Sequence, residues 1–221
     1  MNVMDAGTVA GETILGTARR VGACSWAESR LYEVLGAWAA TTGPAPDEAA
    51  HKVFFDVCSR HHAWRSELLS QRLPGRLVQA YPGEGTPQPP QDLMGPGPGA
   101  EGVMAALETV DGAASRLAVY TRALLPRVMV GYRQWRRTCS QASGRALHRC
   151  LGLLLADATS DWEDGCDLLA RTAMSPADAA LVAAATARVD EALWCAGAGI
   201  GNAKAAGDGP GHGPGRGVHG G

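Results

Sequence analysis

The chain of 221 residues is predicted to be all-α, because apolar residues recur at helical spacing over most of its length and strand-like alternation is absent. Short turns around residues 41–44 and 140–144 predict two antiparallel helical hairpins. Between the hairpins, residues 74–99 contain seven of the 13 prolines, so this stretch is predicted to be a connection and not a helix. Two hairpins joined by one long crossover predict a four-helix bundle, with a fifth helix after it.

The first hairpin is predicted from two amphipathic stretches. The first helix is expected over about residues 11–40 and ends at the breaker Thr41–Pro44. The second helix begins near Pro46, where early acidic residues suit a helix N-terminus, and ends before Pro74. Its residues predicted to face the core are Ala50, Val53, Phe54, Val57, His61, Trp64 and Leu68.

The second hairpin is predicted as one long helix from about Glu101, kinked at Pro126, followed by a helix over about residues 145–173. The segment Ser175–Asp178 has serine at the N-cap, proline next and an acid at the third position, and predicts a fifth helix to about Cys195. Residues 1–196 therefore form the predicted bundle. Residues 197–221 are rich in glycine, offer little to bury and are predicted to be a disordered tail.

Composition and charge argue against several classes of protein. The formal net charge is −2, whereas general binders of nucleic acid or of anionic membranes are basic. No apolar run is long enough to span a membrane, and the first residues lack the basic and apolar regions of a secretion signal. The six cysteines are scattered without the spacing of a metal or redox site, so we expect them to be small buried residues of a protein in the reducing cytoplasm.

Four polar residues lie on the predicted core-facing stripes near the middle of their helices: Glu28, His61, Asp157 and Asp161. Antiparallel hairpins bring helix middles to a similar level, so we expect these side chains to converge inside the bundle. An unpaired buried carboxylate is costly, and a bound cation is one way of compensating it. Because carboxylate and imidazole ligands together suit Fe, Mn or Zn, the set predicts an Fe or Mn site with oxidoreductase-type chemistry.

A metal-free interior is the alternative to this site. In that case His61 hydrogen-bonds to Glu28 or Asp161, and a nearby arginine neutralises the acids in a buried polar network. The protein is then a helical scaffold that binds a protein partner through an exposed helix face, the basic turn or the Pro-rich loop. The candidate arginines are Arg20, Arg60 and Arg65.

Three segments carry a resemblance to a known superfamily: TILGTARRVGACSWAESRLYEVLGAWA, SRHHAWRSELLSQRLP and LADATSDWEDG. They resemble a group of little-characterised actinobacterial proteins of the ferritin-like superfamily, most clearly in the His-His-Ala-Trp and Ala-Asp-x-x-x-Asp-Trp motifs. The resemblance implies a ferritin-like bundle with an iron–carboxylate ancestry. The di-iron pattern needs inward-facing Glu-x-x-His pairs from two helices, whereas this chain has only Glu48-x-x-His51, off the predicted core stripe. A single metal ion, or a bundle without its metal, fits this sequence better.

Arginines surround the turn of the second hairpin. Helix C-termini favour cations, which accounts for part of this cluster. Such a surface also suits an acidic partner or RNA at one end of the bundle, although the overall charge makes nucleic acid the weaker expectation. A homodimer is a further expectation, because ferritin-like bundles often pair. The residues of the cluster are Arg127, Arg133, Arg136, Arg137, Arg145 and Arg149.

Overall fold

In the computed structural model, the described residues (14–43, 46–73, 93–139 and 144–197) form helices and turns, with no strand among them. The all-α prediction is therefore confirmed. Most of the predicted crossover and nearly all of the predicted tail lie outside these residues. The elements are α1 (Ile14–Thr41), α2 (Pro46–Ser70), α3 (Ala100–Glu108), α4 (Ala113–Ala118), a π-helix (Val119–Leu124), α5 (Leu125–Thr138), α6 (Arg145–Arg171) and α7 (Pro176–Cys195).

Two antiparallel helix pairs build the bundle. Helix α1 packs along α2, and the side chains of Ser25 and Ser66 hydrogen-bond to each other across this pair, 3.2 Å apart. Helix α5 packs along α6, and α2 contacts α6, so the two pairs share one interior. Helix α7 lies against α3, α4 and the π-helix, and it covers one flank of the bundle.

The interior contains two apolar clusters with polar residues between them. The larger cluster includes Leu31, Leu35, Phe55, Tyr120 and Leu124. The smaller cluster lies at the end where α5 and α6 are joined, and it includes Val21, Leu69, Tyr132, Trp135 and Leu151. Burial of each such side chain contributes about 1.5–3 kcal/mol, so the two clusters hold the helices of the bundle together. The polar residues of α1, α2 and α6 that fall between the clusters form the candidate site.

Helix α2 turns a different face to the interior from the one that its apolar residues predict. Val53, Val57 and Trp64, predicted to face the core, are 63%, 39% and 41% exposed. The prediction is wrong by one residue, which is a rotation of about 100°. It failed because the buried face carries several polar side chains. The buried residues of α2 are His51, Phe55, Cys58, Ser59, His62, Arg65 and Leu69.

The helix predicted to run from Glu101 through Pro126 is divided in the structure. Helix α3 ends at Glu108, and Gly112 adopts a φ of +79° before α4, a conformation that favours glycine. From residue 113 to 138 the chain stays helical, but it forms a π-helix directly before Pro126. Proline lacks the N–H that continues an α-helix, so the irregularity expected at Pro126 takes the form of wider turns just before it.

Gly165 on α6 marks the closest approach of three elements. A Cβ added at residue 165 would lie 2.9 Å from the ring of Phe54 on α2 and still closer to the methyl group of Thr121 in the π-helix. We therefore expect Gly165→Ala to lower the free energy of unfolding by about 1–3 kcal/mol, measured by urea denaturation. Gly102→Ala on α3 is the control, because its Cβ would meet no atom within 4 Å. That substitution should raise stability by about 0.5–1 kcal/mol, and equal effects of the two variants would refute the close packing at residue 165.

Candidate functional site

Arg65 on α2 lies at the centre of the buried polar network. Its side chain is fully buried, and its Nε donates a hydrogen bond of 2.6 Å to Asp157 Oδ2 on α6. Its Nη2 donates to Asp161 Oδ2 on the same helix. The remaining nitrogen, Nη1, lies 3.9 Å from Glu28 Oε2 on α1. One guanidinium group therefore forms ion pairs with carboxylates of α1 and of α6, the two helices that flank α2.

These carboxylates stabilise the charged form of Arg65. Burial by itself lowers the pKa of an arginine, because it penalises the charged form. The negative charges of Glu28, Asp161 and Asp157 outweigh that effect and raise the pKa of Arg65 above its ordinary value. The network thus contains a permanent cation that faces three carboxylates.

Glu28 belongs to a second arm of the network, made with His62 and two tyrosines. His62 Nδ1 lies 2.5 Å from Glu28 Oε2, and His62 Nε2 lies 2.9 Å from the hydroxyl oxygen of Tyr120. The hydroxyl of Tyr132 donates to Glu28 Oε1. A neutral His62 satisfies both neighbours, since Nδ1–H donates to the carboxylate and Nε2 accepts from Tyr120.

The pKa shifts in this arm agree with a charged Glu28 beside a neutral His62. Burial raises the pKa of Glu28, but the His62 and Arg65 side chains and the Tyr132 hydroxyl together lower it below its ordinary value. Burial dominates at His62 and lowers its pKa, so the imidazole stays neutral. Burial also raises the pKa of both Tyr120 and Tyr132 well above the usual range, so both keep their hydroxyl protons.

His61 forms the third arm, which opens to solvent. Its Nδ1 lies 2.6 Å from Asp161 Oδ1, while 39% of its side chain is exposed. Asp157 is 22% exposed and Asp161 is buried. One ligand atom from each of His61, Asp157 and Asp161 lies within 4.8 Å of the other two. The structure thus brings together three of the four predicted site residues, whereas Glu28 pairs with His62 and meets the others only through Arg65.

The adjacent histidines exchange the places that the sequence predicts for them. The prediction placed His61 on the core-facing stripe and His62 at the edge, but His62 is the buried one. Sequence reasoning missed His62 and Tyr120 as members of the site, and it named Arg65 only as one of three arginines. A signal was present in the spacing 51, 55, 58, 62, 65 and 69, which is the regular stripe of a buried helix face.

The residues present fit a carboxylate metal centre poorly. Two carboxylates and an imidazole are a suitable donor set for Fe or Mn. However, Arg65 hydrogen-bonds to both aspartates, so a metal ion on them would lie beside a fixed positive charge. Glu28 already accepts hydrogen bonds from His62 and Tyr132. The predicted Fe or Mn therefore stays a prediction, and the arrangement favours the network without metal.

Comparison with known proteins assigns no family to this bundle. The chain matches no protein-family model, and comparisons with curated proteins and with solved structures find no significant match. The ferritin-like superfamily therefore stays a prediction for this fold. None of the described helices is both long and apolar enough to cross a membrane. None of the six cysteines forms a disulfide bond; Cys24, Cys58 and Cys150 are buried as predicted, whereas Cys195 is exposed.

The network predicts that acid destabilises the protein in two stages. The pKa of His62 is lower in the folded protein than its ordinary value of 6.5 in the unfolded chain. As the pH falls below 6.5, the unfolded chain therefore takes up a proton before the folded protein does, and the folded state becomes less stable. The pKa of Glu28 is also lower in the folded protein, so this residue destabilises the folded state as the pH falls below its ordinary pKa of 4.5. The free energy of unfolding, measured by urea denaturation, should therefore fall from neutral pH downward, first through His62 and then through Glu28. The variant His62→Gln should lose the first stage, and an unchanged profile in that variant would contradict the assignment.

Proposed function

We propose that this chain is a metal-free helical scaffold that acts by binding a protein partner. The observation that carries the proposal is the position of Arg65, whose guanidinium group hydrogen-bonds to both aspartates of the predicted metal site. A bound cation and a buried arginine are alternative ways of compensating the same carboxylates. In this chain the positive charge that compensates the two aspartates is supplied by an arginine of the protein itself.

The three arms of the network support a structural role for the site. Arg65 hydrogen-bonds to Asp157 and Asp161, and His61 hydrogen-bonds to Asp161. His62 and Tyr132 hydrogen-bond to Glu28. These residues come from α1, α2, α5 and α6, so the network connects these four helices at one level. A connected set of buried hydrogen bonds of this kind makes one packing arrangement much better than its neighbours, which suits a rigid scaffold.

The outer face of α2 supports a role in binding. Val53, Val57 and Trp64 are spaced by four and seven residues, so they share one face of the helix, and all three are exposed. An apolar stripe on an exposed helix face is a surface that protein partners commonly cover. It is the same stripe that the sequence predicts to be buried.

Thermal unfolding with and without metal tests the metal-free part of the proposal. We expect the midpoint of the purified protein to be unchanged by a chelator, and unchanged by added Mn²⁺ or anaerobic Fe²⁺. An ion that binds the folded state raises stability in proportion to the logarithm of its concentration over its dissociation constant. A rise that is lost in His61→Ala would overturn the proposal, whereas a rise that this variant retains would indicate a metal bound elsewhere and leave Arg65 as the cation of the network.

A further inference from the structure

One end of the bundle carries arginines that form no ion pair with the acidic side chains that the structure describes. Residues 128–156, which include most of α5 and the first half of α6, contain no aspartate or glutamate. Five arginines in this stretch are exposed, and none forms an ion pair with a residue that the structure describes. They are Arg133, Arg136, Arg137, Arg145 and Arg149.

The structure changes the membership of the cluster that the sequence predicts. Arg127 leaves it, because its Nη2 pairs with Asp190 Oδ1 at 3.0 Å and its guanidinium group lies 5.7 Å from the ring of Trp194. Arg20 and Arg72 join it from the first hairpin. The guanidinium carbon of Arg20 lies 4.6 Å from the ring centre of Trp135, and although burial raises the pKa of the Cys150 thiol overall, the charge of Arg72 acts to lower that pKa. Both helix pairs therefore contribute to one surface, which we call the basic end.

Several acidic residues lie at the opposite end, where they are mixed with the arginines Arg171 and Arg188. There, the start of α2, the α3–α4 turn, the end of α6 and the start of α7 surround a cavity of about 950 Å³ whose lining includes Glu48, Asp111 and Asp178. Asp164 and Asp167 are exposed on the last turns of α6. Acids and bases are thus mixed at the opposite end, whereas residues 128–156 contribute only bases to the basic end. The whole chain uses arginine far more often than lysine, which explains why the basic residues here are arginines. It does not explain why residues 128–156 contain no aspartate or glutamate.

We propose that the basic end binds an aspartate- or glutamate-rich segment of a protein partner. Guanidinium groups bind carboxylates through paired hydrogen bonds, and exposed arginines without ion pairs are free to do so. The stretch without acids covers only one end, so a compact acidic segment fits it, whereas a long polyanion would extend beyond it to surfaces that also carry carboxylates. Single-stranded nucleic acids also need aromatic rings on which bases stack, and the two aromatic side chains among these arginines, Tyr132 and Trp135, are buried.

This inference rests on the protein-binding part of the proposed function, because it names a class of partner and a second binding surface beside the apolar face of α2. The two fail separately. Metal binding that depends on His61 would overturn the metal-free scaffold and leave the basic end unaffected. Failure of the basic end to bind an acidic probe would overturn this inference and leave the apolar face of α2 as the binding surface.

Fluorescence anisotropy of a labelled oligoglutamate peptide with the full chain tests the proposal. We expect binding at low salt that weakens as salt is raised, and no binding of an oligoglutamine peptide of equal length. The variant Arg136→Glu/Arg145→Glu/Arg149→Glu should bind at least about tenfold more weakly, since three exposed charge pairs are lost and reversed. The corresponding glutamine substitutions serve if the charge-reversed chain does not fold, and circular dichroism checks folding in each case.

The matched control places the same charge change elsewhere. Arg122, Arg171 and Arg188 are also exposed, and their replacement by glutamate should change the affinity less than twofold if the site is the basic end. Equal weakening by both triple variants would show that only the net charge matters, and the proposal would be wrong. It would be equally wrong if the peptide does not bind at low salt, or if a single-stranded RNA of equal length binds more tightly than the peptide.

Discussion

Replacement of Arg65 by methionine should lower the free energy of unfolding by about 3–5 kcal/mol, because it leaves buried carboxylates without their cation. Asp157 and Asp161 would lose the hydrogen bonds from Nε and Nη2, and Glu28 would lose a positive charge 3.9 Å away. Methionine fills much of the volume of the arginine side chain, so the cavity that the substitution creates is small and contributes little to the loss of stability. Urea denaturation at neutral pH gives the value directly.

Arg60→Met on the same helix is the control for this effect. Arg60 pairs with Asp56 one turn away, but both side chains are largely exposed, so the loss should be below about 1 kcal/mol. The double variant Arg65→Met/Asp161→Leu should recover part of the stability lost in Arg65→Met, since one stranded charge is removed with its partner. A loss in Arg65→Met as small as that in Arg60→Met would contradict the central place given to Arg65.

Glu28→Leu has the second largest expected effect, about 3–5 kcal/mol, because it strands buried donors. The Tyr132 hydroxyl and His62 Nδ1 would lose their acceptor in an interior where water does not replace it. Glu28→Gln should cost less, about 1–3 kcal/mol, since the amide oxygen still accepts from one of the two. Thermal or urea denaturation separates these two variants.

Glu33→Leu supplies the comparison for Glu28→Leu on the same helix. Glu33 is half exposed and pairs with Arg30 three residues earlier, so its replacement should change stability by less than about 1 kcal/mol. If Glu28→Leu is as mild as Glu33→Leu, the Glu28–His62–Tyr132 arm is not a stabilising unit. If Glu28→Gln is as damaging as Glu28→Leu, the charge of Glu28 matters more than its capacity to accept hydrogen bonds.

The sequence predicted well those helices whose buried faces are apolar. On α6 the stripe through Leu147, Leu151, Leu154 and Ala158 is buried as expected, because nothing on the helix competes with it. On α2 the apolar residues Val53, Val57 and Trp64 lie on the outside. Periodicity assigns apolar residues to the interior, so it fails where polar side chains are buried together and apolar ones are exposed.

The carboxylates of the candidate site were predictable from the sequence, but the residues that pair with them were not. Burial of Glu28 and Asp161 follows from their places on apolar stripes. Which cation compensates them depends on the rotation of α2, because a turn of one residue decides whether His61 or His62 faces inward. The same rotation brings Arg65 between Glu28 and the two aspartates. Such a choice is made by packing among three helices, which no single stretch of sequence contains.

Metal content by mass spectrometry tests the central claim most directly. The chain would be produced with iron and manganese in the medium, without a histidine tag, and measured beside the variants His61→Ala and Asp161→Asn. We expect far less than one ion per chain in a fully folded wild type, because Arg65 supplies the positive charge that the carboxylates need. Near-stoichiometric iron or manganese in the wild type, lost in both variants, would contradict the account and make His61, Asp157 and Asp161 a metal site.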